Sequence, residues 1–305
     1  MALSSTRRKR PARGAPRRKS PARSRRRRSV PKGKALGRFW KWTKRLCFLG
    51  VCLGLIGFFL SVGTLFYYGS LASKYDLARI ERMLDQAAVD AALPGEIPPV
   101  YGPRPLVVAV DQISPHFIDA LLVREDARFR QHGGVDLLGV VRAALRNLKE
   151  RRMVQGAGTI TMQVARNAFD EKERSLHRKL LEAMIARRVE KRFSKDEILS
   201  VYSSWAFLGD EYHGVERASR AWFGKTARQI TLGEAATMAG ILRAPNRFSP
   251  VNNPEGAKIQ RDVVLRRMAE AGVITEAQRD EALAEPLRAR NPHVPQPPKA
   301  VPFRG

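Results

Sequence analysis

From Leu46 to Ser73 the chain carries no charged residue. About 20 apolar residues are enough to cross a bilayer as a helix, and LCFLGVCLGLIGFFLSVGTLFYYG exceeds that. Trp40 and Trp42 flank one end and Tyr67 and Tyr68 the other, in the manner of interfacial anchors. The run is too long and begins too late for a signal-peptide core, and no small-x-small cleavage site follows, so residues 46–69 read as an uncleaved span. Beyond it the pattern becomes helical. Ser114-Pro115 predicts an N-cap with Pro at the first helical position, and Phe117, Ile118, Leu121 and Leu122 follow as one stripe. Ser194 with Glu197, Thr231 with Glu234 and Thr275 with Gln278 have the spacing of capping boxes. Asn253-Pro254 opens a helix that Gly272 closes. Over 174–192, Leu176, Leu180, Leu181, Met184 and Ile185 predict a core face. Strand signals are few, the best being LVVAV at 106–110, so the part after the span is expected to be mainly α.

Charge adds a direction to this layout. The 305 residues carry a net charge of +27, but residues 1–45 hold 19 Lys/Arg and no Asp or Glu. The other 37 Lys/Arg face 29 Asp/Glu, which leaves +8 (37 − 29) for the rest. The basic segment 1–45, rich in Pro, Arg and Ser, reads as a disordered tail that cannot offset its own ordering entropy. It is either a solvated arm or attracted to anionic lipid heads. No nucleic-acid-binding motif accompanies it, so no nucleic-acid partner is expected. The Lys/Arg bias puts the N-terminus in the cytoplasm and residues 74–305 outside. Cys47 and Cys52, both in the span, exclude a disulfide scaffold. At 44% hydrophobic residues the chain can bury a core, and only the Pro-rich end, 286–305, reads as a second tail.

Several residues are candidates for chemistry. The next position on the stripe after Leu122 is Glu125. A carboxylate on an apolar face is costly to bury, which suits either a general base or a helix-end Glu paired with Arg124 or Arg128. In EDARFRQHGGVD, His132 and Asp136 are either metal ligands or local hydrogen-bonding groups, and two ligands without a third are a weak signal. Gln155-Gly156-Ala-Gly158-Thr159 before a helix is either an anion-binding turn or an ordinary loop. Arg174, Arg178 and Glu182 fall at i, i+4 and i+8, with Lys179 beside them. That stripe fits a surface ion pair or a cationic seat for a pyrophosphate.

EDARFRQHGGVD, GAGTITMQVARN, RKLLEAMIARRVEKRFSKDEIL, HGVERASRAWFGK and LGEAATMAGILRAPNRFSP occur in this order. Together they resemble the five blocks of glycosyltransferase family 51, the peptidoglycan transglycosylase domain of class A penicillin-binding proteins. The chain ends where a transpeptidase domain would begin, as in the monofunctional form. The resemblance implies a mainly α, lysozyme-like domain with head and jaw lobes, here at 70–285 behind the single membrane helix. It implies polymerisation of lipid II into glycan strands at the outer face of the cytoplasmic membrane. Glu125 matches the general base and Glu182 the second glutamate, which assists the pyrophosphate directly or through a metal. Arg166, Arg174, Arg178 and Lys179 match basic positions near the phosphates. Asp126, Phe129 and His132 surround the base, and Thr159 and Gln163 of the second block join them as substrate-binding positions. No cofactor is required, although a divalent cation, Mg or Mn, fits beside Glu182. The implied partners are lipid II, the growing strand, the membrane and penicillin-binding transpeptidases.

Four positions depart from the family pattern. Gly158 stands for Ser and Met162 for Gln in the second block, while Ser200 and Ser204 replace the Glu and Asn of the third. Lost polar groups are expected to weaken donor contacts or loosen a hydrogen-bond network. The rival readings are a peptidoglycan-cleaving lysozyme-like enzyme, which has no use for cations around a second Glu, and a catalytically weakened scaffold that binds lipid II.

Overall fold

The computed structural model describes residues 32–92, 107–150, 158–169, 175–210 and 212–290, with the side chains of 32–38, 86–92 and 169 excepted. Arg174, Gln155, Gly156 and most of the Pro-rich end lie outside the described residues. The protein is mainly α. The helices are α1 (Lys32–Ser73), α2 (Ala78–Ala92), α3 (Pro115–Glu125), α4 (Leu137–Lys149), α5 (Ile160–Phe169), α6 (Leu176–Arg192) and α7 (Lys195–Trp205). A short antiparallel hairpin, β1 (Phe207–Gly209) and β2 (Tyr212–His213), precedes α8 (Val215–Phe223), α9 (Leu232–Ile241), α10 (Pro254–Glu270) and α11 (Glu276–Ala284).

The chain divides into two compact units, Met1–Ser61 and Val62–Gly305. α1 is long and apolar enough over Phe39–Ser73 to cross a membrane. It departs from the expected boundaries at both ends. It starts at Lys32, inside the segment expected to be disordered, because extending an existing helix is easier than nucleating one, even across Gly33 and Gly37. Its last turns, from Val62, belong to the second unit rather than to a span ending at 69. There Tyr68 Oη lies 2.9 Å from His177 Nδ1, and the Met184 methyl sits under Gly69. The Arg188 guanidinium donates to the Ala72 carbonyl in the last turn of α1 and to the Tyr75 carbonyl just beyond it.

At the centre of the second unit is α9, whose residues from Ala235 to Ile241 are all buried. A helix apolar all round needs neighbours on several sides, and α3 and α10 supply them. Small side chains allow the close approach: a Cβ on Gly240 would stand 2.9 Å from the Gln260 carbonyl carbon. α5 packs against α6 and α7, and α2 against α7. The three capping boxes form as expected, and Asn253 caps α10 through the Gly256 N–H.

Two expectations about elements are corrected. Residues 107–109 form no strand, because the Val108 N–H goes to a side chain, Ser204 Oγ at 3.1 Å, instead of a ladder partner. On α6 the core face is Leu181, Ile185, Ala186 and Val189, while Leu176 and Leu180 face outward. The apolar period of α6 is wider than one buried stripe, so period alone could not say which leucines meet the core. Ser200 and Ser204 are built into α7: Ser200 Oγ donates to Asp196 O at 2.9 Å and Ser204 Oγ to Ser200 O at 2.7 Å. Their replacement of larger polar groups leaves a bonded network, not a loosened one.

Candidate active site

Glu125 is the last residue of α3. The apolar stripe ahead of it, Phe117, Ile118 and Leu121, is buried in the core, which delivers the carboxylate to the edge of that core. Its side chain is 10% exposed. Neither Arg124 nor Arg128 holds it. Arg128 faces Asp136 at 3.8 Å, and Arg124 donates to the Gly240 carbonyl and to Gln260 Oε1. The partner of Glu125 is Arg243, whose Nε donates to Oε1 at 3.0 Å. Gln163 of α5 donates from Nε2 to the other oxygen, Oε2, at 3.3 Å. Arg243 escaped the sequence reading; its one local signal is a cation placed directly after the uncharged stretch 235–242. Burial, then the like charge of Arg243, pulls the Arg124 guanidinium below its ordinary pKa.

Glu182 sits one helix away, buried in the middle of α6. Arg178 Nε lies 3.1 Å and Arg166 Nε 3.3 Å from its Oε1. Arg178 comes from the preceding turn of α6, as the i, i+4 spacing suggested, and Arg166 comes across from α5. Lys179 is exposed on the same turn of α6. Gln163 and Arg166 are three residues apart and share a face of α5, with Cβ atoms about 5–6 Å apart. One turn of α5 therefore touches both carboxylates, Glu125 through Gln163 and Glu182 through Arg166.

The loop after Glu125 fixes the start of that turn. Asp126 accepts the Ile160 N–H through Oδ2 at 3.0 Å, a carboxylate at a helix N-terminus where it is favoured. His132 Nε2 donates to Asp126 at 3.1 Å. Thr159 Oγ1 donates to the Gly134 carbonyl at 2.6 Å and accepts the Met162 N–H in the manner of an N-cap. Gly134, at φ +95°, lets the loop run against α6, since a Cβ would come within 2.8 Å of the Ala186 carbonyl. Phe129 is buried, with the Lys195 ammonium 4.1 Å over its ring. Asp126, Phe129, His132 and Thr159, expected among the substrate-binding positions, are thus engaged inside the protein. Asp126, His132 and Thr159 hold the start of α5, which carries Gln163 and Arg166, while Phe129 packs in the core against Lys195. Gly158 is exposed beside Thr159, whereas Met162 is buried.

No group of three or more His, Cys, Asp or Glu among the described residues could hold a metal ion. His132 is spent on Asp126, and Asp136 faces Arg128 and Arg142. Glu182 offers a single carboxylate between two guanidinium groups, a poor seat for a resident cation. Counting Arg124 and Arg243 near Glu125, four guanidinium groups surround two carboxylates, so the site has a cationic surplus. Such a surplus beside two carboxylates can receive an anionic group.

The chain is similar to known proteins over much of its length. A family model described as transglycosylase matches residues 96–269. Penicillin-binding protein 1A of Escherichia coli is 42% identical over 210 residues, 68% of this chain and 25% of that protein. Penicillin-binding protein 1A of Aquifex aeolicus is 41% identical over 183 residues, 60% of this chain and 25% of that protein. A Cupriavidus necator protein named as a transglycosylase is 42% identical over 186 residues, 61% of this chain and 80% of its own length. The chain thus spans about a quarter of the penicillin-binding proteins it matches. A crystal structure of penicillin-binding protein 1A from Haemophilus influenzae aligns at 31% identity over 42% of this chain and 17% of its own, with a TM-score of 0.31. With more than half of its residues matched by the family model, the chain belongs to the transglycosylase family.

Proposed function

We propose that the protein polymerises lipid II into glycan strands at the outer face of the cytoplasmic membrane. The observation that carries this reading is the single turn of α5 that joins Glu125 to the Arg166–Glu182–Arg178 cluster. Glu125 takes the proton from the 4-hydroxyl of the acceptor sugar. The freed oxygen forms a bond to the anomeric carbon of the donor strand as the bond to the lipid pyrophosphate breaks. Arg178 and Arg166 receive the charge that develops on the leaving pyrophosphate, supported by Arg174 and Lys179. No energy cofactor enters, because the pyrophosphate is the leaving group. Should a divalent cation join, Glu182 would be its protein ligand and the phosphates the others.

A lipid-linked substrate requires the site to lie near the bilayer. α1 supplies the anchor, with the Lys/Arg-rich side in the cytoplasm. In the second unit, α4 exposes Leu137, Leu138, Val141, Leu145 and Leu148, an apolar face that supports contact with lipid. The test is to supply full-length detergent-solubilised protein with lipid II and, separately, with finished peptidoglycan. Glycan polymer from lipid II is expected. Cleavage of finished peptidoglycan without polymerisation would favour a lysozyme-like enzyme, and binding of lipid II without turnover a scaffold.

A further inference from the structure

Tyr202 belongs to α7, not to either helix that carries a glutamate, yet it is connected to Glu125. Its hydroxyl donates to Gln163 Oε1 at 3.4 Å. Gln163 in turn donates from Nε2 to Glu125 Oε2 at 3.3 Å. Arg243 occupies Glu125 Oε1. The three side chains form a relay in which every proton points toward the carboxylate.

Direction matters here because a glutamine amide has two faces. With its NH2 toward Glu125 it donates; rotated by half a turn it sets a carbonyl oxygen against a carboxylate, which repels. Gln163 itself is only half-buried, so its side chain has room to shift unless a second partner holds it. Tyr202 is buried and sits on the other side of the amide. Burial, reinforced by the negative charge of Glu125, pushes its phenol above its ordinary pKa, so the hydroxyl keeps its proton and acts as a donor. Glu125, which can only accept, takes the NH2, and the Tyr202 hydroxyl then holds the amide by its carbonyl from the other side.

We propose that Tyr202 is a positioning residue that orients the general base through the Gln163 amide. The proposal rests on the reading of Glu125 as the base for glycosyl transfer. Tyr202 touches neither substrate nor reacting atom; it sets where the Glu125 carboxylate points when the acceptor hydroxyl arrives. The competing role is packing, since the Tyr202 ring also lies in the hydrophobic core. Packing needs the ring and is indifferent to the hydroxyl.

Tyr202→Phe keeps the ring and removes the donor. Loss of base alignment is expected to lower kcat on lipid II about tenfold, since small misplacements cost that much or more, with KM little changed. The deciding measurement is a cycle with Gln163→Ala. In the Gln163→Ala background the Tyr202→Phe change should lower kcat no further, because the relay is already cut. A loss of equal size in both backgrounds would show that the hydroxyl acts independently of Gln163 and overturn the relay. So would a Tyr202→Phe protein within twofold of wild type. A thermal melt of each variant shows that the comparison is between folded proteins. If wild type itself makes no polymer from lipid II, the glycosyl-transfer reading falls and the relay with it; wild-type turnover with an inert Tyr202→Phe removes the relay alone.

Discussion

Glu125 and Glu182 are both nearly buried, and their surroundings differ in kind. Glu125 ends a helix and is held by one exposed arginine, 58% accessible, and one neutral amide. Glu182 lies mid-helix between two guanidinium groups, of which Arg178 is only 14% exposed. The first carboxylate has partners that can be exchanged for a substrate hydroxyl. The second is locked into a cluster whose cations outnumber it. On the proposed reading, the two carboxylates divide the work by the exposure and charge of their partners, not by the carboxylates themselves. Proton transfer fits the Glu125 side and phosphate charge the Glu182 side.

The comparison breaks most decisively at Glu125. Glu125→Gln keeps size and hydrogen-bonding capacity but cannot take a proton. Turnover of lipid II should fall by about 10²–10⁴-fold, the usual worth of a general base. Because Arg243 is more than half exposed, losing its ion pair should change stability by about 1 kcal/mol or less. Activity that stays within a few-fold of wild type would show that the two carboxylates are not divided in this way.

The apolar stripe marked Glu125 as a candidate and the resemblance gave it a role, and a stripe is local. The partner of Glu125, Arg243, lies 118 positions away, and no spacing announces which distant cation will meet it. The same holds on the other side. Arg178 and Glu182 could be paired on paper at i, i+4, but Arg166 reaches them only through the packing of α5 on α6. The fold follows the same rule. Capping boxes sit where the sequence places them because each closes within three residues. LVVAV misled because its composition suits a strand while Ser204, 96 positions away, takes the Val108 N–H. The functional blocks name Asp126, His132 and Thr159, and the structure adds what they hold, the start of α5, through bonds such as Ile160 to Asp126 that join residues 34 positions apart.

Next in size is the cluster around Glu182. On the proposed reading, Arg178→Ala removes a charge-assisted contact to the leaving pyrophosphate, and such contacts are worth roughly 1.5–3 kcal/mol. At 1.36 kcal/mol per factor of ten, kcat/KM for lipid II should fall about tenfold to a hundredfold. The variant should also melt lower than wild type, since buried Glu182 keeps only part of its cationic surroundings. Arg178→Lys should recover the stability more fully than the rate, because an ammonium restores charge but not the planar fork. Unchanged kinetics with a lowered melting temperature would make this cluster structural and erase its side of the comparison.

A third measurement sharpens the role of α5, which serves both carboxylates. The family pattern suggests that Met162→Gln should restore a donor contact. The structure argues the opposite, because Met162 is buried, 6% exposed, on a helix whose site-facing residues are Gln163 and Arg166. An amide placed there without partners costs about 1–3 kcal/mol by mutational scales. Met162→Gln should therefore lower the melting temperature and leave the rate on lipid II no higher. A rate gain at unchanged stability would mean that position 162 reaches the donor after all.

The smallest expected effect is at Gly158, one step before the Thr159 hydroxyl that starts α5. Gly158 is exposed, its φ lies outside the left-handed region, and a Cβ built on it meets nothing within 4 Å. Ser is thus accommodated without strain. Replacing Gly where the backbone already suits other residues stabilises by about 0.4–1 kcal/mol through the unfolded chain, and Gly158→Ser should gain in this range. The new hydroxyl would point toward solvent at the head of the helix that carries Arg166, so its effect should fall on the donor side of the site. A neutral hydrogen bond exposed to water is worth about 0.5–1.5 kcal/mol, or roughly a twofold to tenfold rise in kcat/KM. That rise should persist in an Arg243→Ala background, which perturbs the Glu125 side alone, and should shrink in Arg178→Ala. The reverse pattern would place Gly158 with the base and show that α5 transmits its changes to Glu125 first.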